Sequence, residues 1–308
     1  VGGDGANAFY GNWLDLEPLV EAHGYDLTQW PAAAVDFYRT EEGLIGLPLA
    51  TFPSLLFYRP AMFDEAGLNY PPTVYGDPYV LPDGSEVEWD VDTLRDIAMF
   101  LTVDANGADA TEDDFDPENI VQWGFGFQWY GEGRQIPTLW GAEQLWNPET
   151  DEAQLPDAWR EGFRWWYDGM WSDYFIFNAA QEQSDLLGAG NPFNSGNLAM
   201  AQSHLWYTCC LDGTEWDAAV LPSYNGEWNV RLHADTFRVY GGTQNPDEAF
   251  RVLTYLVGEA ALDLLSVYGG MPARLEEQDE FFAILDERYT QGVAWEAARA
   301  GLAYADNP

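Results

Sequence analysis

The chain contains no lysine. All twelve of its basic residues are arginine, set against 52 aspartates and glutamates, for a net charge of −40. Such a field repels phosphate backbones and anionic bilayers, which excludes charge-driven binding of nucleic acid or attachment to a membrane surface. The partner is expected to be neutral, cationic or a protein. Acid excess without lysine fits a halophilic or marine source, where salt screens the self-repulsion, and equally fits drift in a GC-rich genome. Cysteine is almost as scarce, with two residues side by side at 209 and 210, and histidine occurs three times. No run approaches the roughly 18 apolar residues of a membrane span. The opening VGGDGANAF carries neither a charged leader nor a lipidation cysteine, so any targeting segment is expected to be missing or already removed.

Aromatic residues are abundant: they make up 16% of the chain and include 15 Trp, more than a core of this size needs. Trp and Tyr present flat faces that stack on sugar rings and other apolar surfaces. At 308 residues, 47% of them hydrophobic, the chain is long enough for two cores, given roughly 100 to 200 residues per domain.

The start, VGGDGANAFYGNWLDLEPLV, reads as the end of a buried strand, a Gly-rich turn and a short helix. GLIGLPLATFPSLLFYRPAMFDEAGL predicts two short apolar strands about Pro48 and Pro53, then a helix that stops at Gly67. Residues 69 to 90, rich in Pro, Gly and Asp, predict a loop or small hairpin. In DVDTLRDIAMFLT, Leu94, Ile97, Ala98 and Leu101 recur at helical spacing, with Asp90 or Asp92 as cap. VQWGFGFQW and WDAAVLPSY read as strands. LPDAWREGFRWWYDGMW predicts an amphipathic helix with Trp159, Phe163 and Trp166 on its apolar stripe. NPDEAFRVLTYLVGEAALDLLSVYG predicts two helices punctuated by Gly258, with Asn245 as N-cap and Pro246 in the first turn. Helices alternating with short strands place the chain in the α/β class.

Reactive chemistry finds little support. Neighbouring side chains on an extended segment point to opposite faces, so Cys209 and Cys210 chelate one metal poorly, and neither a CxxC motif nor a second His cluster completes a site with His204. Two readings stay open for the pair: buried small side chains, or a vicinal disulfide of an exported protein. The stretch DANGADATEDDFDPEN, residues 104 to 119, offers Asp104, Asn106, Asp109 and Asp113 as hard oxygen donors. It departs from the EF-hand template at positions six and twelve, where Asp109 and Phe115 stand. A solvated acidic loop is the favoured reading there, with calcium as the alternative. With 52 acids a pair of facing carboxylates can always be found, so their abundance says nothing about glycoside hydrolysis. No GxSxG, HExxH or P-loop pattern occurs. No catalytic residue and no metal ligand is assigned, and the chain is not expected to be an enzyme.

Read in order, GLPLATFPSLLFYRPAMFDEAGL, FNSGNLAMAQSHLW, AVLPSYNGEW, NPDEAFRVLTYLVGEAALDLL and GGMPAR, spanning residues 44 to 274, resemble segments of the sugar-binding family 1 of extracellular solute-binding proteins of ABC importers. The resemblance implies a two-lobed periplasmic-binding-protein (Venus-flytrap) fold with a hinge between lobes. Lobe one would comprise residues 1–50 plus 235–268 and lobe two residues 55–230 plus 271–308, with crossings near 48–58, 224–233 and 269–274. Against the family pattern, the leader, the opening strands and some closing helices are missing, so lobe one is expected to be incomplete. Arg59-Pro60-Ala61 stands where the family has Asn-Lys-Asp.

The function implied is that of a periplasmic or extracellular receptor, a lipid-anchored lipoprotein in full length and a monomer without cofactor. It would bind a neutral sugar or oligosaccharide in the interlobe cleft and deliver it to a membrane permease. Sugar hydroxyls need planar hydrogen-bonding groups and sugar C–H faces need aromatic platforms. The resemblance puts Trp206 at such a platform, Phe52 beside the first crossing and Asp4 and Asn7 in the Gly-rich loop. It takes Trp129 or Trp140 from lobe two, with Tyr224, Asp235 and Arg274 near the later crossings. Two alternatives remain: a secreted glycoside hydrolase or lectin-like module, and a binding protein for glycerol phosphate, polyamine or peptide.

Overall fold

The structure is a computed structural model and describes residues 9–129, 133, 136–141, 143–213 and 215–305. In chain order, the elements that bear on function are helix α1 (Glu17–His23), strand β1 (Leu47–Tyr58), helices α2 (Pro60–Ala66) and α3 (Val91–Phe100), strands β2 (Val103–Asp104) and β3 (Ile120–Phe127), helix α4 (Asp157–Trp171), strands β4 (Leu198–His204), β5 (Asp217–Ala219) and β6 (Leu232–Phe237), helices α5 (Pro246–Leu256) and α6 (Ala261–Tyr268), strand β7 (Met271–Pro272) and helix α7 (Gln278–Arg288). They form two compact units. Unit 1 holds the described residues up to Phe52, with Leu205–Cys209 and His233–Arg288. Unit 2 holds Pro53–His204, Cys210–Leu232 and the described residues from Tyr289 onward.

In place of two short strands, the segment around Pro48 and Pro53 forms the single twelve-residue strand β1. A proline cannot donate to a sheet ladder. Pro53 falls where the ladder changes partners: Ala50 and Thr51 pair with Pro272 and Met271 of β7, whereas Ser54 onward pairs with β4. The first half of β1 thus belongs to unit 1 and the second half to unit 2. Unit 1 also runs to Arg288, beyond the 268 read from the sequence, because β7 pairs with β1 and α7 packs on both α6 and β7.

In unit 1 the α5 helix begins with Pro246 after Asn245, although the Asn245 side chain makes no capping bond; Phe250 and Leu253 supply its buried face. Helix α6 ends on Gly269 in the left-handed conformation, which glycine adopts without the steric cost a Cβ brings.

In unit 2 the sheet order is β5-β1-β4-β3-β2, with β4 parallel to β3 and antiparallel to β1. From Trp123 onward β3 is buried on both faces, as a central strand must be. Helix α3 lies so close to it that a Cβ on Gly124 would stand 1.8 Å from the Ala98 carbonyl oxygen. Asp90 caps α3 by accepting the Thr93 amide, and Leu94, Ile97, Ala98 and Leu101 are buried as their spacing predicts. Helix α4 departs from expectation: its buried residues are Trp159, Gly162, Trp165 and Gly169, and Trp166 is only half-buried. Rotation of the helix by about one residue, or 100°, brings Trp165 onto Phe125 and Phe175, at ring-centroid distances of 5.6 and 5.0 Å.

Candidate functional site

Asp4 and Asn7 lie outside the described residues. The other predicted site residues divide between the units.

In unit 1 the chain leaves β4 into a 3-10 turn, Leu205–Cys210. Leu205, Tyr207 and Thr208 are buried and anchor it, leaving Trp206 half-buried. The Thr208 hydroxyl donates to the Leu205 carbonyl at 2.8 Å, and the bare Cα of Gly269 packs against that hydroxyl, where a Cβ would approach to 2.0 Å. The cysteine pair rides on this turn rather than on an extended strand. Cys209 is exposed and Cys210 half-buried, so the reading as two buried side chains is corrected. The 3-10 twist turns residue 209 outward.

Strand β6 supplies the rest of this set. Alternation puts His233, Asp235 and Phe237 on one face. The Trp206 indole N–H donates to His233 Nδ1 at 3.2 Å, with the two ring planes 11° apart. Burial pushes the Asp235 carboxyl above its ordinary value, offset in part by the nearby Tyr268 hydroxyl. Burial first and the Asp235 charge second push the Tyr268 hydroxyl up in turn. Phe52, 2% exposed, sits 5.9 Å from the Tyr268 ring, as packing behind it rather than as an open face.

Arg274 belongs elsewhere in unit 1. Its guanidinium bonds Glu277 at 2.6 Å and lies over the Trp30 ring at 5.3 Å. It lines a surface groove of about 650 Å³ with Tyr25, Arg251 and Glu280, not the Trp206 row.

In unit 2 Trp129 is 44% exposed and follows the end of β3 with a left-handed φ of 52°. Its indole N–H donates to the Gly190 carbonyl at 2.6 Å, which fixes the ring. A non-glycine residue in that conformation costs about 1 to 3 kcal/mol and is held by its surroundings. Trp140 differs: it is 4% exposed, wedged between Trp165 and Tyr224, and covers Gly162 so closely that a Cβ there would lie 2.8 Å away. Of the two tryptophans the sequence offered, Trp129 has an accessible face and Trp140 is core. Tyr224 is half-buried at a tight turn closed by its own bonds with Glu227.

Sequence reasoning missed four polar residues. His233 and Tyr268 complete the unit 1 row; the two-residue spacing of His233 from Asp235 was the available signal. Gln128 and Gln202, at the ends of the parallel strands β3 and β4, are fully buried, yet Gln128 Nε2 and Gln202 Oε1 have no partner among the described residues. Nothing in the sequence marks them. In the acidic loop, burial pushes the Asp104 carboxyl up, but the amides of Asp116, Asn106 and Ala108 outweigh it and hold the group below its ordinary value. The bonds run 2.7 to 3.0 Å, so this carboxylate organises its loop. Among the described residues no three His, Cys, Asp or Glu side chains converge as a metal site would require.

No protein-family model matches the sequence, and no curated protein matches it either. Solved structures do. An ABC substrate-binding protein of Listeria monocytogenes in complex with cycloalternan is similar over 98% of this chain and 71% of its own, with a TM-score of 0.74 and 17% identity. An ABC transporter solute-binding protein of Thermotoga lettingae bound with alpha-D-tagatose is similar over 97% of this chain and 70% of its own, with a TM-score of 0.69 and 18% identity. UgpB of Mycobacterium tuberculosis in complex with glycerophosphocholine is similar over 98% and 70%, with a TM-score of 0.68 and 13% identity. At such identities the likeness speaks to architecture: this α/β chain of two compact units has the two-lobed fold of the ABC solute-binding proteins.

Proposed function

We propose that the chain is the substrate-binding receptor of an ABC importer and captures a neutral sugar or oligosaccharide outside the cytoplasm for delivery to a membrane permease. It acts as a monomer and carries out no catalysis. The observation that carries this reading is the fold likeness, over nearly the whole chain, to proteins that hold cycloalternan and tagatose. The half-buried Trp206 of unit 1 is the aromatic face we assign to sugar C–H surfaces, with Asp235 of the same unit as a hydroxyl acceptor; unit 2 by itself offers the exposed, fixed face of Trp129. Anchoring as a lipoprotein belongs to the same reading.

The glycerophosphocholine complex of UgpB favours a second reading, a phosphodiester ligand. Such an anion needs uncommitted arginine. Although Arg231 and Arg238 have no ion pair among the described residues, Arg274 is paired with Glu277 and the chain carries a charge of −40. These features support the neutral ligand.

A thermal-shift panel of glucose, mannose, mannobiose, maltotriose and glycerophosphocholine tests the reading. A ligand at a hundred times its Kd adds about 2.7 kcal/mol to folded-state stability, which raises the melting temperature by roughly 5 to 10 °C. A shift with a sugar is expected. A shift with glycerophosphocholine alone would overturn the substrate class.

A further inference from the structure

Trp206 and His233 are joined in an unusual way for a ligand platform. An indole N–H can only donate, so the His233 nitrogen that receives it, Nδ1, carries no proton. Both the indole N–H and the imidazole lone pair lie in their ring planes. A bond of 3.2 Å between them, with planes 11° apart and ring centroids 6.4 Å apart, sets the rings edge to edge in nearly one plane. Face-to-face stacking would not bring those two nitrogens into line. The result is one flat surface about two rings long, with both side chains keeping part of their area exposed. It is held from two sides: the buried Leu205, Tyr207 and Thr208 pin the Trp206 turn, and β6 carries His233.

We propose that Trp206 and His233 form a single composite platform for two consecutive sugar units, so that the ligand is an oligosaccharide rather than a monosaccharide. The inference rests on the sugar-binding reading above. One indole accommodates one pyranose face, and the coplanar imidazole extends that flat surface beyond the indole edge. Asp235, two residues along the same strand face, supplies a carboxylate acceptor beside the second plate. His233 also positions Trp206, because its Nδ1 fixes the rotation of the indole about its own axis.

Two substitutions separate these roles. In His233→Asn the amide oxygen stands in for Nδ1, so the acceptor is kept and the second plate is lost. In His233→Phe a ring is kept and the acceptor is lost. Calorimetry is run with maltotriose against glucose and with mannobiose against mannose. The wild-type protein is expected to prefer the oligosaccharide of the pair it binds by at least about tenfold. His233→Asn should remove most of that preference and leave monosaccharide affinity within about twofold, whereas His233→Phe should weaken both. An oligosaccharide preference undiminished in His233→Asn overturns the composite platform, as does a wild-type protein that binds the monosaccharide equally well. A wild-type protein that binds no sugar overturns the sugar reading. The positioning role is then decided alone by the indole N–H resonance of Trp206, identified by its disappearance in Trp206→Phe. That resonance should move in His233→Phe and stay in His233→Asn, and a resonance unmoved in His233→Phe refutes the positioning role.

Discussion

Gly269 is the point at which helix α6 supports the turn that carries Trp206, and replacing it with alanine tests that support. Its φ of 73° is left-handed, and an added Cβ would lie 2.0 Å from Thr208 Oγ1 and 3.4 Å from the Leu205 carbonyl oxygen. Thr208 is buried and its hydroxyl is engaged with Leu205, so no flexible side chain can swing aside and the turn itself must shift. The backbone conformation costs an L-residue roughly 1 to 2 kcal/mol, and disturbing the Thr208 bond adds about 1 kcal/mol. Gly24 provides the control within unit 1: it closes α1 with a φ of 58°, and nothing lies within 4 Å of its would-be Cβ. Gly24→Ala should therefore incur only the backbone part. Urea unfolding should show a loss of roughly 2 to 3 kcal/mol for Gly269→Ala against about 1 to 2 kcal/mol for Gly24→Ala. Calorimetry with the panel sugar should show weaker binding for Gly269→Ala and unchanged binding for Gly24→Ala. Equal stability losses and equal affinities in the two variants would refute the claim that the Trp206 turn rests on the end of α6.

Trp206→Ala is expected to weaken sugar binding by about 1 to 3 kcal/mol, or roughly five- to 150-fold, with the fold retained by circular dichroism; an unchanged Kd would count against the platform. For Asp235, burial holds the folded-state pKa above the unfolded value, so the ionised group is destabilising above the folded pKa, and that penalty disappears as pH falls through the folded pKa to below the unfolded one. Asp235→Asn should accordingly raise the melting temperature at pH 7 and leave it nearly unchanged at about pH 3, while reducing sugar affinity. A lower melting temperature at pH 7 would mean that the favourable influence of the nearby Tyr268 hydroxyl outweighs the cost of burial. Gly124→Ala sets a methyl 1.8 Å from the Ala98 carbonyl oxygen, backbone against backbone, and should destabilise unit 2 by about 3 kcal/mol; a loss under about 1 kcal/mol would contradict the tight seat of α3 on β3.

Much of the fold was legible because its signals are local. The α3 helix could be read from Asp90 and the spacing of Leu94, Ile97 and Leu101, and its cap and buried face follow that reading. Gly67 ends α2 in the left-handed conformation, as its place after FDEA predicts. Where local signals conflict, the reading failed. Prolines 48 and 53 read as strand breaks, yet β1 runs through both; Pro53 stands where the ladder changes partner, so its missing amide interrupts neither pairing. Trp165 and Trp166 are equivalent by composition and a rotation of 100° apart on a helix, so only the packing of Phe125 and Phe175 selects one of them.

The sequence by itself determined the class of the fold and the candidacy of Trp206, since periodicity and ordered motifs are properties of the chain alone. Tertiary structure alone decided which candidates have a surface to offer. Trp206 meets His233 across 27 positions of sequence, Arg274 is held by Glu277 and Trp30, and Trp140 is enclosed by Trp165 and Tyr224. The physical reason is that an aromatic or charged side chain serves a ligand or a core according to which distant neighbours cover it, and that cover is set by long-range packing no local pattern encodes.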